Sequence, residues 1–429
     1  MERPTNTDFG HWKKRFFTIW SGQAVSMLGS RLVGFAFVWY LTSSTGSATV
    51  LAIGSLMSLL PDVIISPISG ALVDRWNRKT VLIVSDVLTA LVTLALAGLF
   101  AFTEVRLWQI YSVMFLRSAF GTFQWTAMLT STSLMVPKNQ LAHVSGMNQT
   151  LAGLLGILAP PLGAFLLGIL PMDGILLVDV ATAFVAIIPL FFFHLPQPEI
   201  DPGIKDEKGN YKKNLWQDMI EGFQFIRTLP GLLFIIITAM LINLILSPAF
   251  SLLPLLVTEY FKRGVLDLGL AESVFSIGFV VGGLVLSIWG GFKNRLITSM
   301  TFLLVMGLGV SLLGIIPRSG YYFAIAALAL VGLANPLTNG PLMAAMQARV
   351  EPQKQGRVFS IINAGASLAT PIGLGIAGPL SDAVGVHIWF LAGGVVCIFA
   401  GVSNLLNKHV INLGKIPEEI QAPKNPINS

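Results

Sequence analysis

The chain has 429 residues, 54% hydrophobic and only 11% charged, with a mean hydropathy of +0.75. A soluble domain carries roughly 25% charged residues, so this composition excludes a water-soluble globular protein. The net charge of +6 is a topology signal here rather than a nucleic-acid footprint. A single cysteine, Cys397, excludes an internal disulfide and a thiolate metal cluster.

The apolar residues come in long blocks, without the ten-residue alternation of a barrel. A helix needs about 20 apolar residues to cross a bilayer. Twelve spans are predicted, at 16–41, 48–73, 80–103, 107–135, 141–170, 174–194, 231–257, 268–291, 296–316, 321–347, 357–381 and 387–407. The stretch from Phe16 to Leu41 is too long for a signal-peptide core and lacks a small-residue cleavage site, so no cleavable signal is expected. With the N-terminus inside, the cytoplasmic segments hold twenty-one of the 27 Lys and Arg. Outside lie Arg106, Lys262, Arg263 and Arg318, and Arg31 and Arg117 fall within spans. That asymmetry places both termini in the cytoplasm.

The expected organisation is all-α: an N-terminal segment 1–15, a six-helix bundle 16–194, a linker 195–230, a second six-helix bundle 231–407 and a polar tail 408–429. In the linker, Leu215, Met219, Phe223 and Ile226 recur at helical spacing and predict an amphipathic helix on the inner membrane face. The tail carries Pro417, Pro423 and Pro426 and is expected to be disordered. The halves echo one another: Pro161-Leu-Gly163 in span 5 matches Pro371-Ile-Gly373 in span 11, as for related halves packed around a midplane site.

Spans 2 and 3 are joined by Gly70-Ala-Leu-Val-Asp74-Arg75-Trp-Asn-Arg78-Lys79. Gly70 is expected to allow close helix approach, and Asp74 to meet a helix N-terminus or pair with Arg75, Arg78 or Lys79. The spacing G-x-L-x-D-R-x-x-R-K resembles the signature loop between helices 2 and 3 of the major facilitator superfamily of transporters. Asn77 stands where that signature usually has glycine, and is read as a left-handed turn residue. The loop decays in the second half to Gly290-Gly-Phe-Lys293-Asn294-Arg295.

Ionisable residues inside spans are costly and mark functional candidates. Arg31 in span 1 and Arg117 in span 4 sit at similar depth, with Asp62 in span 2 roughly 6 Å deeper at 1.5 Å per residue. The three are expected to share a buried polar cluster. It either pins helices together or lets Asp62 take up and release a proton as the cavity changes sides. Asp86 and Asp179, each about two turns from a helix end, read as structural or gating contacts.

Span 5 carries Gly156-Ile-Leu-Ala-Pro160-Pro161-Leu-Gly163, similar to the G-x-x-x-P-x-x-G element of the superfamily's antiporters. Arg117-Ser-Ala-Phe-Gly121 is similar to the span 4 element that supplies an arginine to proton coupling, with Phe120 where glutamine is usual. Further segments, among them Ile19-Trp-Ser-Gly-Gln-Ala-Val-Ser26, Gly356-Arg-Val-Phe-Ser360 and Gly378-Pro-Leu-Ser-Asp382, resemble the bacterial macrolide-efflux branch, which neighbours the siderophore exporters.

What the resemblance implies is a secondary active exporter of amphipathic drug-like compounds, macrolides among them, working by proton antiport and alternating access. The alternative is export of a siderophore, a lipid-like compound or another metabolite. A drug-sized ligand needs aromatic walls with a few polar groups, and Phe35, Trp39, Trp125, Asn243, Phe275, Phe279, Asn335 and Asn339 are candidates. The five histidines lie in or near helix ends and tails, no H-E-x-x-H motif or carboxylate cluster faces one site, and no phosphate-binding loop is present. Neither an enzyme nor an ATPase is expected, nor any cofactor or metal. The expected partners are a small amphipathic substrate, protons and membrane lipids, with no nucleic acid. The expected setting is a monomer in the bacterial inner membrane.

Overall fold

The computed structural model describes residues 12–73, 76–137, 140–193, 230–350 and 352–413. Asp74, Arg75, Lys138 and nearly all of the linker with its expected amphipathic helix lie outside the described residues. Within them the chain is helical, with no strand. The first six long helices are α1 (Trp12–Thr45), α2 (Ala48–Val73), α3 (Arg78–Phe102), α4 (Leu107–Met135), α5 (Leu141–Ile169) and α6 (Met172–Phe192). Six more follow: α7 (Pro230–Ser251), α8 (Val265–Trp289), α9 (Arg295–Ile315), α10 (Tyr321–Arg349), α11 (Pro352–Val384) and α12 (Val386–Leu406). A short α13 (Lys408–Leu413) closes the described chain. Ten of the twelve are long and apolar enough to cross a membrane. Of the other two, α4 carries Arg117, Gln124 and a run of hydroxyls from Thr130 to Ser133.

The predicted spans match these helices to within a few residues, with one exception. Span 7 was expected to continue to residue 257, but α7 ends at Ser251. A short turn of helix at Leu253–Leu255, opened by Pro254, and a π turn at Leu256–Tyr260 follow instead. Proline cannot continue the hydrogen-bond ladder from the preceding turn.

The described residues form two compact units. One draws on the described residues up to 193, with 251–273 and 374–383; the other draws on 230–250, 274–350, 352–373 and 384–413. In the first unit α3 packs on both α4 and α6, and α1 on α5 and α6. Its interior is layered. Phe16, Ile19, Leu82, Met135 and Leu190 form an apolar cluster at one end, and Phe37, Leu41, Leu96, Ile110 and Ile175 another at the opposite end. The spacing of Leu82, Asp86, Ala90, Thr93 and Ala97 on α3 puts all five on one helix face. Polar residues of that face therefore lie between the two apolar layers. In the same unit the Asp382 carboxylate caps α2, accepting from the backbone of Ala48 (2.6 Å) and Thr49 (3.0 Å) and from the hydroxyls of Ser47 (3.0 Å) and Thr49 (2.6 Å).

The second unit is held by small residues. Along the α9–α12 contact, a Cβ on Gly314 would come within 2.6 Å of the His387 carbonyl, and one on Gly394 within 2.3 Å of the Ser311 nitrogen. Close backbone approach of this kind replaces the hydrophobic drive that lipid removes. Here α13 is docked rather than disordered, which corrects the expectation for the start of the tail. Arg349 donates to the carbonyls of Leu413 (3.0 Å) and Asn412 (2.8 Å), and Asn294 to that of Ile411 (2.9 Å). The last carbonyls of a helix have no partner within it, and these side chains supply one.

The two halves repeat one device. Asn77 caps α3 by accepting from Lys79 (3.0 Å) and Thr80 (3.3 Å), and Asn294 caps α9 by accepting from Leu296 (3.0 Å). The next residue, Arg78 or Arg295, donates to a carbonyl near the end of the following helix, Thr130 (2.9 Å) or Ala344 (3.0 Å). Asn77 has φ −67°, so it is an extended cap and not the left-handed turn expected. Gly70 likewise departs from expectation: a Cβ there would meet nothing within 4 Å, so it mediates no close approach.

Adjacent glycines on α8 give a test. A Cβ on Gly282 would lie 2.2 Å from the Leu333 carbonyl of α10, whereas one on Gly283 meets nothing within 4 Å. Gly282→Ala should lower the thermal unfolding midpoint of the detergent-solubilised protein, at a cost of about 1–3 kcal/mol for overpacking. Gly283→Ala should be neutral or raise it, since alanine favours a helix by about 1 kcal/mol over glycine.

Candidate functional site

The polar layer of the first unit holds two side-chain networks. In one, the guanidinium of Arg117 on α4 donates to the Asp179 carboxylate on α6 and to the Thr93 hydroxyl on α3. Ser30 on α1 donates to the other Asp179 oxygen at 3.1 Å. Asp179 is 2% exposed. The pair is reachable from α1 because Gly29 brings that backbone against Thr182 and Asp179. A charge at this depth is tolerated when paired and hydrogen-bonded, and here both conditions are met.

In the other network, Gln23 on α1 and Gln124 on α4 both donate to Asp86 on α3, Gln23 at 3.1 Å. Gln124 also donates to Gln23 at 2.9 Å. Asp86 is 3% exposed. Ala90, Val180 and Ala183 form a small apolar cluster between the two networks.

The cluster expected of Arg31, Asp62 and Arg117 is not what forms. Arg117 pairs with Asp179 instead. Arg31 is exposed, and Asp62 is exposed and accepts from the Thr122 hydroxyl at 3.1 Å. Equal depth along separate helices left the choice of partner to helix rotation, and α6, not α2, turns its carboxylate to Arg117.

In the span 5 element, Pro161 has no N–H for the carbonyl of Ile157, and the Ser273 hydroxyl is shared between that carbonyl at 3.1 Å and the Gly269 carbonyl at 2.7 Å. Gly269 lies against the Pro160 carbonyl, 3.0 Å from where its Cβ would be. Gly163 is covered by the Phe35 ring, whose nearest atom is 2.8 Å from a built Cβ. Gly156 lies four residues before Pro160 on the same helix. Around the signature loop, Lys79 reaches the Phe191 carbonyl at 3.4 Å. Trp76 stacks on Phe123 with centroids 6.2 Å apart.

Two cavities bear on ligand binding. The second unit holds one of about 290 Å³, lined by Asn243, Phe275, Asn335 and Asn339 together with Phe250, Thr338 and Met306. Asparagine amides and hydroxyls offer both donors and acceptors there, against aromatic and thioether walls. The first unit holds one of about 200 Å³ lined by Trp125, Trp20, Gln23 and Gln124. Of the other aromatic candidates, Phe35 is core, Phe279 is 46% exposed, and Trp39 lines neither cavity. Sequence reasoning missed Gln23, Gln124, Ser30 and Thr93 as network members. The signal was there in the one-face spacing of polar residues on α3.

The Major Facilitator Superfamily model matches residues 19–316 and 248–426 of this chain. Macrolide efflux protein A of Streptococcus pyogenes is 32% identical over 392 residues, covering 91% of this chain and 95% of that protein. Macrolide efflux protein A of Enterococcus faecalis is 30% identical over 329 residues, 77% of this chain and 100% of that protein. The solved structure of a bacterial homologue of the iron transporter ferroportin superposes with a TM-score of 0.68 at 16% identity, covering 91% of this chain and 98% of that one, and shows the fold alone. A family match along most of the chain, with relatives of 30% identity or more covered nearly end to end, shows that the chain belongs to the Major Facilitator Superfamily.

Proposed function

We propose that the chain is a secondary active exporter of amphipathic drug-like compounds, macrolides among them, driven by proton antiport with alternating access. In this reading it works in the bacterial cytoplasmic membrane with both termini in the cytoplasm. The observation that carries it is the identity, along nearly the whole chain, to relatives named for macrolide efflux. The cavity of the second unit supports it, since aromatic walls with a few neutral amides suit a large ligand that is apolar with scattered hydroxyls. Asn243, Asn335 and Asn339 would orient such a ligand, and Phe250 and Phe275 would bury its apolar face.

Arg117 and Asp179 are the groups assigned to proton coupling. Protonating Asp179 cancels the charge that holds Arg117 and frees Ser30 and Thr93, so one proton alters contacts among α1, α3, α4 and α6 together. Asp62 has no ion-pair partner among the described residues to release, and comes second.

Drug-sensitive bacteria expressing the chain and loaded with labelled macrolide should lose the drug, and a protonophore should abolish the loss. Drug loss indifferent to the protonophore would overturn antiport, and retention of the drug would overturn the substrate. Asp179→Asn should lower efflux at least about tenfold at unchanged protein level, as an interaction of about 1.4 kcal/mol or more would require. Asp179→Ala should destabilise the solubilised protein by about 3–5 kcal/mol, because it strands Arg117, and Arg117→Ala added to it should restore part of the loss. A double variant no more stable than Asp179→Ala would show that the pair does not act as a unit.

A further inference from the structure

The Asp86 network is more than a helix pin, because of what it leaves facing the neighbouring cavity. A carboxylate only accepts hydrogen bonds, so Gln23 and Gln124 must both turn their NH₂ groups toward it. This orientation follows from the chemistry of Asp86. Gln124 spends its two N–H groups on Asp86 and on the Gln23 oxygen, so it has only its own carbonyl oxygen to offer elsewhere, and both glutamines line the 200 Å³ cavity of the first unit. The indole N–H of Trp20 is likewise committed, to the Asn148 side-chain oxygen at 2.7 Å, so Trp20 offers the cavity its ring. Trp125, 56% exposed, lines the same space, as do Met27 and Met128.

Behind the two glutamines, Asp86 has no ion-pair partner among the described residues. The nearby charges on α4 and α6, Arg117 and Asp179, already neutralise each other. A buried carboxylate without a counter-ion attracts a cation strongly in a low-dielectric setting. Indole faces, polarisable sulfurs and acceptor oxygens all favour the same ligand charge. Neither cavity has an ionisable residue in its lining; the first differs in that two of its lining side chains, Gln23 and Gln124, are bonded to the carboxylate of Asp86.

We infer that the first unit holds an ammonium-binding subsite. In it the cationic nitrogen of an amphipathic ligand rests against the side-chain oxygen of Gln124, between Trp20 and Trp125, with Asp86 as its counter-charge. The inference rests on the drug-export reading and deepens it. Selection for positive charge is assigned to the first unit, and selection for neutral polar groups to the second.

The test uses the purified full-length protein and two probes on one ring scaffold: ethidium, permanently cationic, and dihydroethidium, which is uncharged. Equilibrium dialysis under nitrogen should show ethidium bound at least about tenfold more tightly, and Asp86→Asn should bring the two affinities to within about twofold. Should that variant fail to fold, Trp125→Leu, at a half-exposed position, should weaken ethidium more than dihydroethidium. Equal affinity of the unaltered chain for both probes, an unchanged ratio in Asp86→Asn, or no binding of ethidium would each overturn the subsite. Macrolide retention in cells tests the export reading separately, so failure of one is distinguishable from failure of the other.

Discussion

In hydrocarbon, a backbone carbonyl or a charge without a partner costs several kcal/mol, and no water stands by to take up the bond. Much of the architecture answers that constraint. Where Pro161 leaves the Ile157 carbonyl free, Ser273 supplies a hydroxyl. Arg78 and Arg295 each cross to a neighbouring helix and donate to a carbonyl near its end. Helix breaks can then be kept for shape and motion.

The two units meet the constraint differently. The second packs backbone to backbone through glycines on α9 and α12, a contact that admits no slack. The first places a polar layer between two apolar ones and satisfies it with side chains from α1, α3, α4 and α6. Side-chain networks have alternative arrangements of similar energy, whereas a glycine seam has one. Sensitivity to a bound proton or cation therefore belongs in the first unit, and a stiff frame around neutral amides in the second.

The helices were legible because bilayer thickness imposes their length and the apolar runs report it directly. Ends were misjudged where a local rule won, as at Pro254 after α7. The site was legible in composition and not in pairing. Depth along a helix can be counted from sequence, so Arg117 was found. Rotation about the axis depends on packing, so its partner was assigned to Asp62 when Asp179 was the one facing it. Asn77 was misread because asparagine serves both left-handed turns and extended caps, and only the backbone angle distinguishes them. Gln23 and Gln124 escaped notice because amides carry no charge, although buried amides are as much in need of partners as buried ions.

The docked α13 bears on how the protein is made. Its carbonyls are held by Arg349 and Asn294, and its His409 backbone lies against Gly231 at the start of α7. Every residue it touches there precedes it in the chain. During synthesis these contacts can form only after residue 413 has cleared the exit tunnel. The contacts that α7, α9 and α10 make with α13 are thus among the late ones to form in the second unit.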